Sequence, residues 1–121
     1  AAAVGKVIPA LAGKLNGYAL RVPVAVGSIV DLTAELERPA TVEAINAAMK
    51  KASEGPLKGI LVYTDDPIVS SDVIGTTCSS LFDSNQTIMI DPTFCKVTSW
   101  YDNEWGFSNR MVDLAIKIAG L

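Results

Sequence analysis

The side chains able to bind or react fall in a few places. Arg21 stands in Tyr18-Ala19-Leu20-Arg21-Val22-Pro23, where strand alternation turns it away from Tyr18, Leu20 and Val22. A guanidinium among apolar neighbours stays charged and needs an anion. Two partners are open: a carboxylate such as Asp31 or Glu35 on an adjacent strand, or a phosphate or carboxylate ligand. Spacing alone favours the ion pair. The run Ser99-Trp100-Tyr101-Asp102-Asn103-Glu104-Trp105-Gly106-Phe107-Ser108-Asn109-Arg110 is dense in aromatic and amide groups and joins a strand pattern to a helix pattern. Ligands gather at such junctions because helix N-terminal amides point outward there. Asn103 offers both a donor and an acceptor to a planar amide ligand; equally, Asp102 or Asn103 caps the helix while the tryptophans fill core.

Other reactive types are less informative. The sequence holds no histidine, which excludes Ser-His and Cys-His catalysis within the chain and removes the commonest zinc ligand. Cys78, in Gly75-Thr76-Thr77-Cys78-Ser79-Ser80, has no base to activate it and reads as a small residue at a strand start, with Cys95 as core. Asp65-Asp66 before Pro67 reads as a solvated turn, since no further oxygen cluster completes a cation site. No catalytic residue and no metal site is expected in this chain.

Three helices and about six strands must position these groups. Val4, Val7, Ile8 and Leu11 share one helical face, with no capping residue ahead of them, as in an element entered midway. A second helix is capped by Thr41, buries Val42, Ile45, Met49 and Ala52, and stops at Gly55-Pro56. A third runs from about Trp105 to Ala119, with Met111, Val112, Ala115 and Ile118 inward and Arg110, Asp113 and Lys117 outward. Strand alternation is clearest over residues 28–36, with Val30, Leu32, Ala34 and Leu36 on one face. Weaker strand patterns cover residues 16–23, 59–63, 79–83, 87–90 and 94–101, with turns at Asp83-Ser84-Asn85 and Asp91-Pro92-Thr93. The fold class predicted is α+β: a mixed, largely antiparallel sheet with helices packed on one face.

Composition narrows the partners. At 121 residues one domain is the default, and half the residues are hydrophobic while 19% are charged. The core is generous or one face expects a partner. A net charge of -3 without a basic run argues against nucleic acid and anionic membranes. No apolar stretch reaches the roughly 20 residues that span a bilayer, so a cytoplasmic protein with free thiols is expected.

The motifs Val4-Gly5-Lys6-Val7-Ile8-Pro9-Ala10-Leu11, Leu20-Arg21-Val22-Pro23, Val30-Asp31-Leu32-Thr33, Ala52-Ser53-Glu54-Gly55-Pro56-Leu57-Lys58-Gly59, Tyr63-Thr64-Asp65-Asp66-Pro67 and Ser99-Trp100-Tyr101-Asp102-Asn103-Glu104-Trp105-Gly106 occur in the order seen in phosphorylating glyceraldehyde-3-phosphate dehydrogenases, which the chain resembles from Val4 to Ala119. The resemblance implies that residues 1–121 are the C-terminal part of a catalytic domain. A Rossmann domain binding NAD and a cysteine nucleophile, neither of them in this chain, would complete a glycolytic homotetramer. It implies that Arg21 binds a phosphate of glyceraldehyde 3-phosphate or inorganic phosphate, that Asn103 contacts the nicotinamide carboxamide of NAD, that Phe107 lies near the ring and that Glu104 supports the loop. By itself the chain would then be inactive. Two departures stand out: Val24-Ala25-Val26-Gly27-Ser28 replaces the commoner Thr-Pro-Asn-Val-Ser, and Phe107 replaces Tyr. Two other readings remain: a non-catalytic sheet domain that self-associates, and a relative acting on erythrose 4-phosphate.

Overall fold

The helix after Thr41 forms as its sequence directs in the computed structural model, which describes residues 2–120. The ends of the expected 1–121 unit, Ala1 and Leu121, lie outside the described residues. Thr41 is extended, and its Oγ1 accepts from the Ala44 N–H at 3.2 Å, so helix α2 (Val42–Glu54) starts with one orphan donor satisfied. Gly55 caps its end, and Val42, Ile45, Met49 and Ala52 form the expected stripe, half-buried. The opening apolar face is split between a short α1 (Ala2–Val7) and a 3-10 turn (Pro9–Leu11) that begins on the proline.

The sheet has four strands in the order β1-β4-β3-β2: β1 is Ser28–Glu35, β2 Leu61–Thr64, β3 Ser80–Asp91 and β4 Phe94–Tyr101. β1 and β3 each pair antiparallel with β4, and β2 pairs parallel with β3, so the α+β architecture and the mixed, largely antiparallel sheet both stand. Three of the expected strands are corrected. Residues 16–23 form no strand: the alternation is present, but the segment has no ladder partner among the described residues, and Tyr18, Leu20 and Val22 are exposed. The segments at 79–83 and 87–90 fuse into the single strand β3, in which the expected turn Asp83-Ser84-Asn85 is an irregularity. A bulge absorbs these turn-forming residues because each finds a partner. Asp83 Oδ2 accepts from Trp100 Nε1 and Oδ1 from the Asn85 N–H, while Ser84 Oγ donates to the Thr64 carbonyl. The turn at Asp91-Pro92-Thr93 does form. Asp91 Oδ1 accepts from the N–H groups of Thr93 and Phe94 and from the Thr93 hydroxyl, and these bonds, Thr93 first, hold its carboxyl below the usual range.

Register decides the two faces. Val30, Leu32 and Ala34 of β1 lie opposite Ser99, Val97 and Cys95 of β4, and Ser99 lies opposite Phe82 of β3. These residues therefore share a face. Helix α2 covers only the β2–β3 half of it, where Phe82 stacks on Tyr63 at 6.0 Å and Lys50 sits over the Tyr63 ring. Leu61 and Phe82 are buried there, while Leu81, which alternates with Phe82 along β3, is buried on the opposite face; Val73, Cys78 and Cys95 are buried as well, both cysteines as free thiols. The β1 edge is less covered, so Val30 and Leu32 stay exposed although they share the face that their alternation implies, while Cys95 on β4 is buried.

Helix α3 (Trp105–Ala119) departs most from expectation. Met111, Val112, Ala115 and Ile118, expected inward, are exposed, with Ile118 at 78%. Arg110, expected outward, is half-buried instead: its Nη1 donates to the Gly59 carbonyl at 3.3 Å and to Ser79 Oγ at 3.4 Å. Its Nη2 pairs with Asp113 at 2.7 Å, an i,i+3 ion pair on the helix. The helical period holds, but nothing among the described residues lies against its apolar stripe.

A polar contact that periodicity could not show joins α2 to the sheet. Asn46 Nδ2 donates to the Ser84 carbonyl at 3.2 Å, and Asn46 Oδ1 accepts from the buried Thr87 hydroxyl at 2.7 Å. Replacing Asn46 by alanine leaves both partners unsatisfied and is expected to lower unfolding stability by about 1–3 kcal/mol. Ser53→Ala, on the same helix but bonded only to the exposed Lys50 carbonyl, is expected to stay within about 0.5 kcal/mol. Urea denaturation midpoints of the two variants check the contrast.

Candidate functional site

The sequence-predicted residues Asn103, Glu104 and Phe107 fall at the junction where β4 hands over to α3. Asp102 builds that junction. Its side chain is only 3% exposed, and Oδ1 accepts from the N–H groups of Glu104 (2.9 Å) and Trp105 (2.8 Å), two orphan donors of the first helical turn. Its Oδ2 accepts from the Gly75 N–H at 2.8 Å, on the loop after the 3-10 turn Ser70–Val73. One carboxylate therefore ties the helix start to a loop 27 residues away in sequence. The bond from Gly75, then that from Trp105, lowers the pKa of Asp102 against the opposing effect of burial. Of the two capping candidates read from the sequence, Asp102 supplies the bonds to the helix start, from two positions ahead of the N-cap Glu104, whose own side chain makes none.

The helix is pressed onto the same loop. A Cβ on Gly106 would lie 2.7 Å from the Cys78 carbonyl oxygen, so only glycine allows the approach. Asp102, Gly106 and the Arg110 contacts to Gly59 and Ser79 hold successive turns of α3 at three points.

Asn103 itself is exposed, and its Oδ1 accepts from the Gly27 N–H at 3.2 Å, linking the junction to the segment that follows Arg21. Glu104 is exposed and lends its backbone N–H to Asp102. Phe107 is 65% exposed. Arg21 is exposed in the irregular segment before β1 and makes no hydrogen bond or ion pair among the described residues. Its expected partner Asp31 is taken by Lys96 at 2.8 Å across the sheet. An open cleft of about 380 Å³ beside the junction is lined by Val26, Ile74, Gly75, Glu104, Trp105 and Ser108. Of the four sequence-predicted residues, Glu104 alone lines it. A second open cleft, between α2 and β2 around Lys50, Lys58 and Tyr63, holds none of them. Asp65 and Asp66 are exposed, as expected, and lend their carbonyls to Asn85 Nδ2.

The arrangement can present an amide, a carboxylate and an aromatic ring on a firmly seated helix start, with the Arg21 guanidinium upstream. The sequence pointed to those four residues but not to Gly27 or Gly106, whose parts depend on groups distant in sequence. No local signal marks a glycine that meets a carbonyl 28 residues upstream.

Asp102→Asn deprives the Gly75 N–H of its acceptor and is expected to destabilise by about 1.5–3 kcal/mol at neutral pH. Because the folded-state pKa is depressed, the contribution is complete above the ordinary aspartate value of about 4 and disappears as pH falls from there through the folded value. The gap between wild type and Asp102→Asn in urea midpoints should therefore narrow below about pH 4. Gly106→Ala should destabilise, although alanine in an unobstructed helix is worth about 1 kcal/mol over glycine. A variant at least as stable as wild type by thermal unfolding would contradict the close approach.

The glyceraldehyde 3-phosphate dehydrogenase C-terminal domain family matches residues 1–103. Glyceraldehyde-3-phosphate dehydrogenases of Mycobacterium avium and Mycolicibacterium smegmatis are 64% and 63% identical over 118 residues, covering 98% of this chain and 34% of each relative. A chloroplastic relative from Arabidopsis thaliana is 58% identical over 119 residues, 98% of this chain and 28% of its own length. The chain thus spans about a third of the length of the curated relatives it matches. A match over most of the chain, together with full-span relatives more than half identical, means that the chain belongs to the glyceraldehyde 3-phosphate dehydrogenase C-terminal domain family.

Proposed function

We propose that residues 1–121 serve as the C-terminal part of the catalytic domain of an NAD-dependent phosphorylating glyceraldehyde-3-phosphate dehydrogenase of glycolysis. The observation that carries this reading is Asn103, an exposed amide on a junction immobilised by Asp102, with Phe107 presenting an open aromatic face on the first turn of the helix. These groups fit one end of NAD, the nicotinamide, which needs a polar contact to its carboxamide and an apolar surface beside the ring. NAD supplies the hydride acceptor. In this reading Asn103 orients the carboxamide, Phe107 lies near the ring without the hydroxyl a tyrosine would bring, and Glu104 supports the junction. Arg21, with no carboxylate taking up its charge among the described residues, binds the phosphate of glyceraldehyde 3-phosphate or the inorganic phosphate.

The nucleophile and the Rossmann domain belong to the rest of the parent protein, so the segment alone is inactive. The exposed apolar residues of β1 and the apolar stripe of α3 are surfaces that the rest of a homotetrameric enzyme would cover. That exposed area also favours a second reading, a non-catalytic sheet domain that self-associates. Light scattering of the segment separates the two, because a monomer across concentration removes the second. No helix among the described residues is long and apolar enough to cross a membrane. A cytoplasmic setting is the one proposed, although the Arabidopsis relative is named as chloroplastic.

The full-length enzyme tests the reading. Arg21→Ala is expected to raise KM for glyceraldehyde 3-phosphate or phosphate about 10- to 100-fold, the worth of one charge-assisted contact, and Asn103→Ala to weaken NAD binding. Arg21→Ala kinetics indistinguishable from wild type would refute the assignment. Parallel turnover of erythrose 4-phosphate decides between the two aldehydes, and a preference for the longer one would reassign the substrate.

A further inference from the structure

The segment that departs most from the family pattern, Val24-Ala25-Val26-Gly27-Ser28, supplies the hydrogen bond that sets the amide of Asn103. Gly27 precedes β1 and Asn103 follows β4, and the last rung of the β1–β4 ladder pairs Ser28 with Tyr101. The two residues therefore stand side by side at one end of the sheet, beyond a rung that holds both chains in place. Across this gap the Gly27 N–H donates to Asn103 Oδ1 at 3.2 Å, linking residues 76 apart in sequence. A backbone N–H can only donate, so the atom facing Gly27 must be the amide oxygen, and the planar amide then turns its NH2 away from Gly27. Since Asn103 is exposed, that NH2 is open to a ligand.

Gly27 reaches this position with φ at +97°, a backbone conformation that other residues adopt only with strain. The nearest atom to a Cβ placed there is the Ser70 carbonyl oxygen at 3.5 Å, an ordinary contact. The demand for glycine is thus conformational, not steric. A side chain at 27 would favour negative φ and carry the N–H off the amide.

We propose that Gly27 is a positioning residue: its N–H holds the oxygen of Asn103 and so fixes the asparagine to meet its ligand as a hydrogen-bond donor. The inference rests on the reading that Asn103 contacts the nicotinamide carboxamide, and it specifies the carbonyl oxygen of that group as the atom contacted.

The test uses the full-length enzyme, with dissociation constants for NAD and for its 3-acetylpyridine analogue read by tryptophan fluorescence. The analogue keeps the carbonyl oxygen but lacks the amide NH2. If Asn103 donates, wild type binds the two within about threefold, whereas an analogue weaker by about tenfold or more, roughly the loss of one hydrogen bond, overturns the proposal. Gly27→Ala should weaken NAD binding about three- to tenfold while KM for glyceraldehyde 3-phosphate and phosphate stays within about twofold, a split that general loosening would not produce. Amide hydrogen exchange on the cofactor-free enzyme supplies a reading independent of the variant's folding. The Gly27 N–H should be protected in wild type and in Asn103→Asp, which keeps the acceptor, and unprotected in Asn103→Leu. Free exchange of that N–H in wild type sinks the inference. If Asn103→Ala weakens NAD while Gly27→Ala leaves it unchanged, this inference fails and the proposed function stands. If Asn103→Ala has no effect on NAD, the functional reading itself fails.

Discussion

A single buried carboxylate organises the end of this molecule that holds the proposed site. Asp102 accepts three backbone N–H groups, two from the start of α3 and one from the Gly75 loop. Burying a charge is unfavourable unless its lone pairs are filled, and here several are. The result is a junction in which strand, helix and loop cannot move independently. The residues proposed to contact the cofactor, Asn103 and Phe107, and the proposed supporting residue Glu104 hang from that junction, so the geometry of the proposed site follows from the hydrogen-bonding demands of a buried aspartate.

The close contact of Gly106 with the Cys78 carbonyl and the reach of Arg110 to Gly59 and Ser79 extend the same attachment along the helix. Beyond Arg110 the helix runs on with its apolar residues exposed. Anchorage at one end and an uncovered stripe at the other is the arrangement expected where another part of a larger assembly completes the packing. The sheet has the same asymmetry: α2 seals one half through Asn46, Tyr63 and Phe82, while Val30 and Leu32 on β1 wait uncovered. A chain that spans about a third of its relatives would be expected to leave such surfaces.

The polar contacts away from the junction show how side chains rescue irregular backbone. Asp83, Ser84 and Asn85 would ordinarily start a turn. In β3 their side chains bind Trp100, the Thr64 carbonyl and the loop at Asp65 and Asp66, so the strand continues through them. The same principle, a local group satisfied by a remote one, joins Asn103 to Gly27.

Much of this was legible in residue types and spacing. Thr41 and Gly55 bound α2, the alternation from Ser28 defined β1 and its faces, and Asp91-Pro92-Thr93 marked the hairpin turn, because caps, pleats and tight turns are set by neighbours in sequence. Arg21 and Asn103 stood out for their chemistry and for the motifs around them. What only the tertiary structure decided was which patterns found partners. Residues 16–23 alternate like a strand yet pair with nothing among the described residues. Met111 and Ile118 share a helical face that no other described element covers. Asp102 and Gly27 take their roles from groups 27 and 76 residues away. Periodicity sets the direction in which a side chain points; what it meets there depends on chain brought in from far along the sequence, and that is settled only when the sheet and the junction assemble.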